Sequence, residues 1–305
     1  MNLFFNNGEY NSNEVNTTLE FLEKKNKKLI QLETIGKSVI GTDIKCIKLG
    51  IGSRKVLYFA SIHANEVITT SILMRFINDY IRAYLYNKDL LGFSIRELFQ
   101  NVSIYVIPMV NPDGCDLITG NLPTKYFNIA KNISNDFPNL RFPEDWKANI
   151  SGVDLNLQFP AYWEKAKKIK YNLGYTTYAP RDFVGTSPLS EAEAIALYNF
   201  TLKHNFDLSL CYHTQGEEIY YTFDNIIPNN SLELGLKFSD SSGYKLTTPP
   251  HNSSFAGYKD WFIQTFNKPS FTIEAGLGVS PLPFSDFFNI YNKNLEMLLI
   301  AAKGK

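Results

Sequence analysis

Five short apolar runs constrain this chain more than any other feature. Ile44–Leu49, Lys55–Ala60, Val102–Val110, Leu208–Tyr212 and Ser270–Ile273 read as strands, most of them buried on both faces. None approaches a membrane span, since even Val102–Val110 is about half the required length and holds Pro108. Helix-period segments lie between them. In Glu66–Tyr86, Ile68, Ile72, Phe76, Tyr80 and Ala83 recur at spacings of three and four. Ser190-Glu191-Ala192-Glu193 has capping-box spacing and predicts a helix to about Lys203. Two further helices are expected near Leu232–Ser241 and from about Ser285 to Ala302. Strands alternating with helices predict an α/β sheet covered on both faces, in a single domain.

The remaining segments are less regular. Asn16–Lys28 reads as a short amphipathic helix, so residues 1–35 are expected to form a helical lead-in packed on a domain spanning 36–305. Asn111-Pro112-Asp113-Gly114 is a strong turn signal. Cys115–Tyr178 is irregular and too long for a structureless loop, so it is expected to be functional or to contain short elements. The 30 basic and 30 acidic side chains cancel, which argues against a general nucleic-acid binder. Three scattered cysteines are too few for a disulfide framework. No basic region precedes an apolar stretch near the first residue, so the cytoplasm is the expected compartment. Release on lysis would be the other way to reach an external substrate.

Chemistry gathers just beyond the strands, where open α/β sheets build their sites. His63 and Glu66 follow the run ending at Ala60; His213 follows Tyr212; Glu274 follows Ile273. His63 and Glu66, three apart at a strand-to-helix junction, can converge on one point. With His213 they make a His₂Glu set, the donor class of catalytic zinc sites that keep one position for water. Such water ionises near neutrality, and Glu274 is the carboxylate best placed to take its proton. Each residue also has an ordinary reading: a solvated His-x-x-Glu pair, a hydrogen-bonded core histidine, a capping carboxylate.

At these residues the chain resembles the zinc carboxypeptidase (carboxypeptidase A-like) metallopeptidase family, from about Gly36 to the final helix. His63-Ala-Asn-Glu66 and His213 stand at that family's zinc ligands, and Ser270-Phe-Thr-Ile-Glu274 stands at the strand bearing its catalytic Glu. Gly152-Val-Asp-Leu-Asn156 matches the segment whose Asp, here Asp154, orients a ligating His. Asn111-Pro-Asp-Gly114 matches a structural motif. The resemblance implies a mixed, mostly parallel sheet flanked by helices, one Zn²⁺ and a peptide substrate.

Members that clip C-terminal L-amino acids carry Asn-Arg where this chain has Asn156-Leu157, and leucine cannot grip a carboxylate. With Trp146-Lys-Ala-Asn149, Ala179-Pro-Arg-Asp-Phe183 and Ala256-Gly-Tyr-Lys-Asp-Trp-Phe262, the chain looks like the bacterial γ-D-glutamyl-L-diamino acid peptidases. Those enzymes cut peptidoglycan peptides between D-Glu and meso-diaminopimelate or Lys. The resemblance implies Lys147 as a cationic oxyanion stabiliser, where it would act as a point charge. For the missing carboxylate-binding arginine, Arg181 and Arg141 lie in the irregular region that could wall a cleft, and Arg181 is preferred. Asn156 is the third substrate-binding candidate. Rival readings are a metallocarboxypeptidase of other peptides, a zinc deacylase of N-acyl amino acids, and a non-catalytic module that binds cell-wall peptide. Oligomeric state stays open.

Overall fold

The apolar runs pair into one eight-stranded sheet in the computed structural model, which describes residues 8–304. In chain order its first members are β1 (Ile30–Lys37), β2 (Asp43–Leu49) and β3 (Arg54–Phe59). A two-stranded ribbon, β4 (Asp89–Leu90) and β5 (Phe93–Ser94), stands apart from it. The sheet continues with β6 (Val102–Ile107), β7 (Leu208–His213), β8 (Glu218–Tyr220), β9 (Lys245–Thr247) and β10 (Ser270–Glu274). Spatial order is β1-β2-β6-β3-β7-β10-β8-β9. The central four, β6-β3-β7-β10, run parallel, and antiparallel pairings at β2/β6 and β10/β8 make the sheet mixed.

Alternation along β3 shows why both faces need cover. Val56 and Tyr58 enter one apolar core, whereas Leu57 and Phe59 enter the other. The first core is closed by α1 (Ser12–Lys25), α2 (Ile68–Leu85) and α3 (Ile95–Asn101). Helices α4 (Pro112–Ile118), α5 (Thr124–Ser134) and α6 (Trp163–Asn172) arise within the segment expected to be irregular. α6 joins α7 (Ala192–His204) on the second core, while α8 (Ser231–Ser242) returns to the first. α9 (Tyr258–Phe266) packs on the second core and α10 (Phe287–Lys303) on the first. Ile72, Leu73, Phe76 and Ile77 on α2 are fully buried, each worth about 1.5–3 kcal/mol of removed apolar surface. Arg54 opens β3 and donates through Nη1 to the Ala301 and Ala302 carbonyls, capping α10 with a cation.

Several expectations need correction. Helix α1 starts and stops earlier than Asn16–Lys28, because Asn11 caps it in a capping box with Glu14. The 1–35 lead-in is helical only to Lys25; from Ile30 the chain is edge strand β1, paired antiparallel with β2. Residues 1–7 of that lead-in lie outside the described residues. Asn111-Pro-Asp-Gly114 opens α4 instead of forming a free turn: Pro112 sits in its first turn and the Asn111 side chain accepts from Gly114 N. The Ser190–Glu193 box does not form. Glu191 takes the cap position, and the Glu193 carboxylate accepts instead from Val39 N at 3.1 Å and lies 3.4 Å from Asn149 Nδ2. Among the described residues no helix is long and apolar enough to cross a membrane.

Burial of Glu193, helped by the charge of Asp113, pushes its carboxyl up to about 7. The folded state therefore holds the proton more tightly than the unfolded chain does. Its stabilising effect is full below the unfolded value near 4.5 and is lost as pH rises through about 7, on the order of 3 kcal/mol. Thermal unfolding should show a midpoint that declines over that window, and E193Q should flatten the decline.

Candidate metal centre

The sheet's topology reverses at β3, which is where a crevice opens. From β3 the chain crosses by α2 to β6 on one side, then by α7 to β7 on the other. The carboxyl ends of β3 and β7 thus diverge into a switch-point crevice. His63 lies just past β3, and His213 is the last residue of β7. Glu66 follows on the turn into α2, and Glu274 ends β10 in register with His213.

Three donor groups converge there. His63 Nδ1 stands 3.0 Å from Glu66 Oε1, His213 Nδ1 stands 3.1 Å from Glu66 Oε2, and the two Nδ1 atoms are 3.2 Å apart. A tetrahedral ion with metal–ligand bonds of 2.0–2.1 Å sets its ligands about 3.3 Å apart. The triangle therefore fits zinc, and His63, Glu66 and His213 are the group that could hold a metal. Glu66 and His213 are buried and His63 is nearly so, leaving these acceptors little water.

The surroundings set each donor's proton state. Burial alone would raise the Glu66 carboxyl, but Lys147 and the two histidines hold it well below the usual range. Burial pushes His213 down, towards the neutral form a metal needs. Burial acts the same way on His63, yet Glu66 and Asp154 outweigh it and push the imidazole up to about 9. His63 directs Nε2 to Asp154 Oδ1 at 3.2 Å, so Nδ1 faces the triangle. Asp154 also accepts from Asn156 N and Asp182 N. Burial alone would raise its carboxyl; His63, by charge and hydrogen bond, holds it well below the ordinary value.

The Asn111 motif staples the loops that carry these groups. Asn111 Nδ2 donates to Ala148 O at 3.0 Å and reaches Ile62 O at 3.3 Å, joining the His63 loop to the Lys147 loop. Ala64 N donates to Lys147 O across the same seam. Gly114 admits this approach, since a Cβ there would meet the Asn111 side chain and Ala64 Cβ at 2.7 Å. Lys147 Nζ in turn donates to Glu66 Oε1 at 2.9 Å.

A cavity of about 300 Å³ opens beside the triangle, walled by His63, Lys147, Asp154, Asn156, Arg181, His213 and Glu274 among others. Burial and the charge of Glu66 push the Glu274 carboxyl up to about 8; a cation in the triangle would favour its ionised form. Asn156 Oδ1 accepts from Tyr258 N while its Nδ2 lies 3.5 Å from His213 Nε2. Among the described residues Arg181 hydrogen-bonds only through Nε, to Asp182, which leaves its terminal nitrogens for the cavity. Arg141 is placed elsewhere: its side chain is 58% exposed, ion-paired to Asp145 at 2.6 Å, and does not line the cavity. One turn's spacing on the chain surface satisfied it locally, which removes it from the substrate-binding candidates. Leu157 lines the cavity where an arginine was missed. The cavity also contains Lys170, Lys259 and Asp260, which the strand-end reading passed over. A charged pair inside the apolar stretch Tyr258–Ile263 was the available signal.

Removing the Asp154 carboxylate should weaken zinc binding about 10- to 100-fold, because His63 loses the partner that orients it. Competition of D154A and the parent protein against a fluorescent zinc chelator measures this directly. Equal affinities would remove Asp154 from the metal site.

The model of a family described as "Zinc carboxypeptidase" matches residues 15–295. The gamma-D-glutamyl-L-diamino acid endopeptidase 1 of Lysinibacillus sphaericus is 42% identical over 270 residues, covering 88% of this chain and 66% of its own length. The chain thus spans about two thirds of that relative. Bovine thrombin-activatable fibrinolysis inhibitor superposes with a TM-score of 0.72 at 17% identity, covering 97% of both chains. The carboxypeptidase A of Helicoverpa armigera gives 0.73 at 20% identity, over 97% of this chain and 73% of its own. The fold likeness joins the family match and the donor triangle in one conclusion: this chain belongs to the zinc carboxypeptidase family.

Proposed function

We propose that the protein is a zinc-dependent metallopeptidase that hydrolyses the γ-D-glutamyl bond to meso-diaminopimelate, or to Lys, in peptidoglycan stem peptides. The observation that carries this reading is the donor triangle opening on the same cavity as Glu274, with Leu157 where a C-terminal carboxylate would need an arginine. The 42% identity to a relative named for γ-D-glutamyl-diamino acid cleavage supports the substrate class.

His63, Glu66 and His213 would hold the ion, and Asp154 would keep His63 in the required tautomer. Bound zinc supplies an acidified water and a Lewis acid for the scissile carbonyl. Glu274 accepts the proton of the attacking water at its carboxylate and returns it to the leaving amine. Lys147, kept as an ammonium because Glu66 outweighs the effect of burial, faces the cavity as a point charge for the developing oxyanion. Arg181 offers its terminal nitrogens to a carboxylate beside the scissile bond, and Asn156 positions the neighbouring wall.

Incubation with L-Ala-γ-D-Glu-meso-diaminopimelate should release free diaminopimelate, seen by mass spectrometry and stopped by a chelator. An all-L peptide should survive; its cleavage from the C-terminus instead would move the assignment to an ordinary metallocarboxypeptidase. Release of an acyl group from N-acyl amino acids would move it to a deacylase. E274Q should keep its zinc and lose roughly 10²- to 10⁴-fold in kcat.

A further inference from the structure

A second cavity lies at the opposite edge of the sheet, and we infer that it is a binding site for a small organic monocarboxylate with an apolar body. The donor triangle stands beyond the carboxyl end of β3. Arg54, the first residue of that strand, lines the other cavity one strand length away, about 20 Å. Its volume is about 270 Å³, close to the cavity of about 300 Å³ beside the triangle. Val102 opens β6 next to Arg54; α3 contributes Glu97 and Leu98, the β4–β5 ribbon Phe93, and the end of α10 Ala302 and Lys303. The Lys303 ammonium stands 5.8 Å from the centre of the Phe93 ring, which ties the ribbon to α10.

Arg54 supplies the reason for an anion. Its side chain is half-buried, and Nη1 is spent on the Ala301 and Ala302 carbonyls. Among the described residues Nε and Nη2 have no hydrogen-bond partner, and no carboxylate forms an ion pair with them. Asp207, the acid whose charge reaches Arg54, is engaged by Lys55 N at 2.9 Å and by Lys268 at 3.4 Å. Withdrawing a charge from water is costly without a counter-charge, and burial accordingly pulls this guanidinium below the usual arginine range. The Nε–Nη2 edge is the pair of parallel donors that a carboxylate accepts with both oxygens. Gly304 leaves that edge uncovered: at φ +78° it passes close by, and a Cβ there would stand 3.2 Å from Nε and 3.3 Å from Nη2.

The rest of the lining selects the body of the ligand. Leu98, Val102 and Ala302 are buried and Phe93 is partly so, which offers an apolar group a place out of water. Arg54 and Lys303 outnumber Glu97, the one acid among the described lining residues, and Glu97 is exposed. A bare phosphate would satisfy Arg54 but leave the apolar wall wet.

Calorimetric titration of the zinc-loaded protein with 3-phenylpropionate, its amide and inorganic phosphate tests the site. The acid should bind one per chain with a Kd on the order of 1 mM or below, and the amide and phosphate at least roughly 10-fold more weakly. F93A should weaken the acid about 10-fold, as for loss of an aromatic contact, and still cleave peptide at the parent rate. R54Q should bring the acid down to the level of the amide. That variant also loses the cap on α10, so if it does not fold the acid-to-amide comparison on the parent protein decides. No binding of the acid, or equal binding of acid and amide or of acid and phosphate, would overturn the site. So would an F93A that folds and binds the acid like the parent, or acid binding that vanishes when zinc is removed, since the probe would then sit at the donor triangle. Binding that appears only once Lys305 is deleted would show the chain filling the cavity itself, and would overturn it as well.

Discussion

Everything at this site depends on three acceptor groups packed edge to edge. His63 Nδ1, His213 Nδ1 and the Glu66 carboxylate lie 3.0–3.2 Å from one another in a pocket nearly closed to water. Lone pairs and negative charge at that separation repel unless a positive centre joins them. A proton answers part of that need, which is why His63 is pushed up to about 9. A divalent ion held there would answer all of it and displace the proton.

The rest of the local structure reads as support for that triangle. Asp154 fixes His63 from behind and is itself fixed by Asn156 N and Asp182 N. Asn111 ties the His63 loop to the loop carrying Lys147, so an apparent turn motif acts as a brace between two walls. β7 and β10 run parallel in register, which sets Glu274 beside His213 at one sheet edge. The charges around the cavity are paired so that each cation answers one carboxylate: Lys147 to Glu66, Arg181 and Lys170 to Asp182, Lys259 to Asp260. A neutral chain can thus hold a site dense in charge, because the balance is struck locally and burial strengthens each pair.

Some of this was legible in the sequence for plain physical reasons. A buried strand is a continuous apolar run, and the residue just after it must fall at the sheet edge, so His63, His213 and Glu274 could be placed from pattern alone. β1, β8 and β9 lack that signal, because edge strand β1 is half exposed and β8 and β9 are only three residues long. The Ser190–Glu193 spacing suggested a cap, but a tertiary partner won: Val39 N offered the Glu193 carboxylate a better use than its own helix end. Arg141 and Arg181 looked alike as cations in one irregular region. Only their neighbours separate them, since Arg141 closes on Asp145 at the surface while Arg181 turns into the cavity.

The sequence by itself determined the α/β class, the donor types and their attachment to strand ends, because periodicity and order along the chain dictate those features. Tertiary structure alone decided which donors touch, which nitrogen of His63 faces the triangle, and which cations remain open to a substrate. Those are matters of a few ångströms between residues up to 150 positions apart, as His63 and His213 are. Such distances are set by strand order and loop bracing, and neither is written in local pattern.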